Sequence, residues 1–140
     1  MFLLDTNVVS ELRKAGTNRV DEHVVRWAAG QSVSRLYLSS ISILELEMGI
    51  LQKELKDVKQ AAVLKTWMLT HVLPSFSDRI LPFDTGVALA CAKLHVPDPK
   101  SERDAMIAAT ALVHGMTLVT RNEKDFRHIK LELINPWLDK

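Results

Sequence analysis

Cysteine is almost missing: Cys91 is the only one in 140 residues, which excludes an internal disulfide and a cysteine-based zinc site. A reducing cytosol suits that count, and cytoplasmic is the expected location. Neither sign of charge dominates. Lys plus Arg is 18 against 17 for Asp plus Glu, a formal net charge of +1. That balance argues against a generic polybasic binder, although it permits a local basic patch on a nucleic-acid enzyme. Asp5 stands too near the N-terminus for a signal peptide's apolar core to precede it. The longest charge-free stretch, Ala105 to Thr120, is interrupted by His114-Gly115 and carries several threonines, so no membrane span is expected.

Motifs are missing too. The five histidines show no His-Glu-x-x-His spacing. There is no Gly-x-Ser-x-Gly elbow, no Gly-x-Gly-x-x-Gly and no phosphate-binding Gly-x-x-x-x-Gly-Lys. What is present is ordinary: 47% hydrophobic and 25% charged residues, without repeats or a linker-like stretch. The chain reads as one domain, 1–140, large enough for a sizeable core.

Short apolar runs alternate with longer helical patterns. Phe2-Leu3-Leu4, Leu36-Tyr37-Leu38, Ile80 to Phe83, Met116 to Val119 and Leu131 to Ile134 read as strands. Helices are expected over Asn7–Lys14, Asp21–Ala29, Ser42–Leu55, Asp57–Leu73 with Pro74 as its stop, Thr85–Leu94, and from Ser101 to His114-Gly115. Strands this short, separated by helices, predict an α/β three-layer sandwich with a mostly parallel central sheet. Right-handed crossovers then bring every strand's carboxyl end to one edge.

Ligands of parallel sheets bind beyond that edge, and acidic or polar residues fall there. Asp5 follows the first strand. Glu45 lies one turn into the helix after the second. Asp104 opens the helix leading to the fourth, after which come Thr120, Asn122 and Asp125. Carboxylates gathered in one place repel each other, and a hard divalent cation relieves the repulsion. Such a cation acidifies a bound water and stabilises charge on a phosphoryl oxygen. The reaction class expected is metal-dependent phosphodiester hydrolysis.

Each residue also has a structural reading. Asp5 can cap the following helix, Ser42-x-x-Glu45 fits a capping box, and Ser101 and Asp104 share that spacing. Asn122 and Asp125 can shape a turn. Trp27, Trp67 and Met68 read as core or partner-facing, Cys91 as core, Asp84 as a cap and Glu47 as solvated.

Leu3-Leu4-Asp5-Thr6-Asn7, Glu45-Leu46-x-x-Gly49, Asp104-Ala105-x-Ile107-Ala108-Ala109-Thr110-Ala111, Leu118-Val119-Thr120-Arg121-Asn122-x-x-Asp125-Phe126 and Ile134-Asn135-Pro136-Trp137 occur in that order. Together they resemble the PIN-domain family, nearest the VapC-type toxins of type II toxin–antitoxin pairs and their FitB-like branch. The resemblance implies a PIN fold, Mg²⁺- or Mn²⁺-dependent endoribonuclease activity, and a cognate antitoxin that blocks the site. Asp5, Glu45 and Asp104 match the family's acidic metal-site residues, Thr6 and Asn7 its polar pair, and Thr120 its hydroxyl. Asn122 departs, since many relatives carry Asp there; Asp125 either compensates or only positions Phe126.

On this basis Asp5 and Asp104 are expected to hold one Mg²⁺. Glu45 binds or orients the attacking water, and Asn122 orients a water or the substrate phosphate. Arg121 is a phosphate contact or a solvated arginine. The substrate expected is single-stranded or loop RNA; DNA is reached only through the antitoxin. Met48, Ile50, Leu51, Trp67 and Met68 supply candidate residues for a homodimer surface. An inactive PIN-like binding module and a phosphotransfer domain are the rival readings. Asn7, in place of a second Asp, speaks against the phosphatase form of the latter.

Overall fold

Five short parallel strands form the centre of the computed structural model, which describes residues 1–138. They are β1 (Phe2–Leu4), β2 (Leu36–Ser39), β3 (Ile80–Leu81), β4 (Thr117–Val119) and β5 (Leu133–Ile134), arranged β3-β2-β1-β4-β5. Phe2 pairs with Leu36 on one side and Thr117 on the other, making β1 the middle strand. The sheet expected to be mostly parallel is parallel at every described pairing.

Alternation along the strands builds two cores, because successive side chains point to opposite faces. Leu4 and Val119 join Val8, Val24, Leu46 and Met68 on one face. Their neighbours Leu3 and Leu118 join Ile107, Ala111 and Phe126 on the other. The first face is covered by α1 (Thr6–Leu12), α2 (Glu22–Ala29), α3 (Ser40–Glu54) and α4 (Val58–Trp67). The second lies under α7 (Glu102–His114) and the short α8 (Glu123–Phe126), with α5 (Leu73–Ser75) and α6 (Thr85–Leu94) completing the chain. Small residues let α6 and α7 meet closely through Val87, Cys91, Ala105 and Ala109. Among the described residues no helix is long and apolar enough to cross a membrane.

Local chemistry sets the helix ends. Asp84 accepts the Val87 N–H at 3.0 Å, and Asp21 accepts that of His23 at 2.9 Å. Gly115 ends α7 at φ 63°, a backbone that side chains with a Cβ adopt at a cost.

Two expected boundaries are corrected. Ser39, not Ser42, caps α3 by accepting the Ile41 N–H at 3.0 Å. The helix therefore begins earlier, and no capping box joins Ser42 to Glu45. Pro74 does not stop the helical run. After α4 the backbone widens over Met68–Val72 into i→i+5 bonding and continues through Pro74 to Ser75. Pro74 falls in the first turn of α5, where a proline's missing N–H costs no helical bond.

The expected hairpin of α3 and α4 forms, but Ile50 and Met68 are core residues rather than surface. Leu51 is half exposed and Leu55 almost fully so. Arg79, unremarked in the sequence, is buried; its guanidinium donates to the Val33 carbonyl at 2.7 Å and to those of Leu36 and Ser75.

Candidate active site

At the end of β1 the chain turns straight into α1, and Asp5 occupies the turn. Its backbone is extended, and its Oδ1 accepts the Thr6 N–H at 2.8 Å, so the capping reading holds. The same carboxylate does more. Oδ2 accepts the Thr120 hydroxyl at 2.7 Å and the Asn7 amide at 3.3 Å. β4 delivers Thr120 because it lies beside β1, and Asp5 N–H itself donates to the Val119 carbonyl at 2.8 Å. A buried carboxylate with donors on both oxygens is thereby locked in one orientation.

Glu45 arrives from the second turn of α3. The Thr6 hydroxyl donates to its Oε1 at 2.7 Å, and Ser42 Oγ stands 3.0 Å from that hydroxyl. On Oε2, Arg103 Nε donates at 2.9 Å. Asp104 follows Arg103 in the first turn of α7. Asn7 Oδ1 accepts the Arg121 N–H and Thr120 Oγ1 the Asn122 N–H, which ties the loop after β4 to the first turn of α1.

Electrostatics reports the crowding. Burial pushes the Asp5 carboxyl up to about 6 against the donors from Thr120 and Thr6, and the charges of Asp104 and Glu45 push the same way. Asp104 is also raised, by burial first, then by the charges of Asp125 and Glu45, with Ser101 and Arg103 opposing. Asp125, from α8, and Asp104 line one recess of about 230 Å³. Asn122 is exposed and makes no side-chain cap on α8.

The sequence-predicted residues therefore sort into three sets. Asp5, Thr6, Asn7, Glu45 and Thr120 form one hydrogen-bonded group. Asp104 and Asp125 are joined to it by charge. Asn122 contributes its backbone, while the Arg121 guanidinium lies 5.3 Å over the Trp137 ring. Two members were not anticipated: Ser42, read as a cap, and Arg103, whose partner is 58 residues away. Only its place in the same first turn as Asp104 hinted at the latter.

All donors available to a cation here are oxygens, and their mutual repulsion is what a divalent ion relieves, so the residues suit a hard metal. Among the described residues no three His, Cys, Asp or Glu side chains stand close enough together, as placed, to hold one metal ion. Both Glu45 oxygens already accept a donor, Thr6 on Oε1 and Arg103 on Oε2.

Residues 2–131 match the model of the PIN domain. VapC ribonuclease Y4jK of Sinorhizobium fredii is 36% identical over 142 residues, covering 98% of each chain. Toxin FitB of Neisseria gonorrhoeae is 37% identical over 145 residues, covering 99% of this chain and all of that one. A solved structure of FitAB bound to an IR36 DNA fragment superposes with a TM-score of 0.86 at 36% identity, over 100% of this chain and 98% of that one. The sheet order, the acidic carboxyl edge and these likenesses agree: the chain belongs to the PIN-domain family.

Proposed function

We propose that this protein is a divalent-metal-dependent endoribonuclease, the toxin of a type II toxin–antitoxin pair, acting through residues 1–140 as one unit. The observation that carries the reading is Asp5: a buried carboxylate, oriented by Thr6 and Thr120 and raised to about 6 beside Asp104 and Glu45, in a chain of a nuclease family. Groups with such shifts cluster at functional sites.

Asp5 and Asp104 would hold the cation, with Mg²⁺ favoured by the oxygen-only set and Mn²⁺ its substitute. Bound there, it would supply positive charge to a phosphoryl oxygen and acidify a water. Glu45, steadied by Thr6, orients the attacking water and accepts its proton. Asp125 takes the fourth acidic place, in one recess with Asp104. Asn122, exposed beside it, orients the substrate phosphate or a water. Arg121, held over Trp137, offers its remaining N–H groups to phosphate. A cognate antitoxin that covers the acids, a homodimer in the cytoplasm, and contact with DNA only through that antitoxin complete the reading.

A second reading, a PIN-like binding module with little or no catalysis, draws on Asn122 in place of an acid and on the open spacing of the carboxylates. Labelled RNA incubated with antitoxin-free protein separates the two. Cleavage that needs Mg²⁺ or Mn²⁺, stops in EDTA and is lost in Asp5→Ala supports the nuclease. Cation binding without hydrolysis supports the module.

A further inference from the structure

A groove of about 620 Å³ opens on Thr6 and Glu45 and runs between α1 and the α3–α4 hairpin. Its size lies within the roughly 300–1,000 Å³ of ligand sites. Its walls carry more cations than anions. Arg13, Arg19 and Lys53 line it, and none of the three is paired with a carboxylate among the described residues. Lys14 on the same wall is paired with Glu11 at 3.2 Å, and Asp57 is engaged in capping α4 through the Gln60 N–H at 3.0 Å.

Its floor has a second peculiarity. Gly49 sits in the middle of α3, exposed, and a Cβ built there meets nothing within 4 Å. Packing inside the fold does not demand a glycine, and glycine costs a helix stability. A smooth floor is useful to something lying over it. On the far wall Trp67 is half buried and offers an aromatic surface.

We propose that this groove seats single-stranded RNA on one side of the scissile phosphate, with Arg13, Arg19 and Lys53 on its phosphates, Gly49 beneath the backbone and Trp67 against a base. Cations along a track with an aromatic platform are the elements of sequence-tolerant single-strand binding. The path ends at Glu45 and at Thr6, the neighbour of Asp5, where a chain held by those cations presents its next phosphodiester. This rests on the nuclease reading and adds to it the residues that grip the substrate.

Fluorescence anisotropy of a labelled single-stranded oligoribonucleotide tests it, in EDTA so that binding is read without cleavage. The double variant Arg13→Glu/Lys53→Glu is expected to bind at least about tenfold more weakly. Its slope of log affinity against log salt should be shallower by about 1.4, at about 0.7 per lost phosphate contact. Gly49→Leu, which fills the floor while improving helix propensity, is expected to lose affinity with Tm unchanged or raised. Wild-type protein that binds no RNA, or variants that bind with wild-type affinity and slope, overturn the proposal. So do variants that keep RNA affinity yet lose co-purification with the antitoxin, which makes the groove a protein-docking surface. Wild-type protein that binds in this way but cleaves nothing with Mg²⁺ or Mn²⁺ sinks the nuclease reading alone.

Discussion

Thr120 donates its hydroxyl to Asp5 Oδ2 at 2.7 Å, wholly inside the protein and across 115 residues of chain. The bond joins the ends of the two adjacent strands β1 and β4 and favours the charged form of Asp5. Thr120→Val keeps the shape and deletes the donor. The variant is expected to lose about 1–3 kcal/mol at neutral pH, the worth of a buried hydrogen bond to a charged group when only the longer Asn7 amide contact remains on that oxygen, and to raise Asp5 further. Urea denaturation at two pH values checks this: the loss should shrink at pH 5, where Asp5 carries its proton.

Asp5 sets a pH dependence whose sign is opposite to that of a salt-bridged carboxylate. Its folded-state value is about 6 against 3.8 for the free group, so between these the folded protein binds more protons than the unfolded. Its stabilising contribution is complete below the unfolded value and lost as pH rises through 6. Asp104 is shifted the same way. Metal-free protein should therefore gain stability between pH 7 and pH 5, by on the order of 1 kcal/mol from Asp5, the rest of the contribution arriving only as pH falls toward the unfolded value. Asp5→Asn should flatten that slope; an equally steep profile in the variant removes Asp5 as its source.

Cation binding must displace those protons. Mn²⁺ at a hundredfold over its Kd is expected to stabilise the protein by about 2.7 kcal/mol at pH 7.5, and much less below pH 6. Thermal melts with and without Mn²⁺ read this directly. Asp104→Asn should abolish the increment while leaving metal-free stability unchanged or raised. A clear loss of metal-free stability would mean that Asp104 serves chiefly to begin α7.

Arg103 neutralises Glu45 from an exposed position: the arginine side chain is 49% exposed and the glutamate 23%. Arg103→Ala should thus cost no more than about 1 kcal/mol of metal-free stability. With its internal positive charge gone, the acidic group should bind Mn²⁺ several-fold more tightly in isothermal titration calorimetry. Weaker binding would show instead that the guanidinium holds Glu45 in its working orientation.

Much of this was written locally. Apolar runs followed by an acidic or polar residue marked strand ends, and Asp5 and Asp84 cap helices as expected, while Asp21, expected inside its helix, caps it instead. Other features depended on what lay across space. Ser39 and Ser42 are chemically alike, and only the position of β2's last residue chose Ser39 as the cap. Pro74 reads as a stop, yet the widened turns before it carry the helix past. Asn122 stood at the expected fourth position with Asp125 as its alternative, and only the fold showed that Asp125 lines one recess with Asp104 while Asn122 is exposed.

Hydrophobic periodicity, capping types and motif order determined by themselves the parallel α/β architecture and the edge at which the acids stand. Those signals are short-ranged, written within a few turns or a single strand. Tertiary structure alone decided that Thr6 serves Glu45, that Arg103 occupies the same carboxylate, and that Asp5 is buried deeply enough to have its carboxyl pushed up to about 6. Each depends on desolvation and on distances between distant segments, which exist only once the sheet has brought its strands side by side.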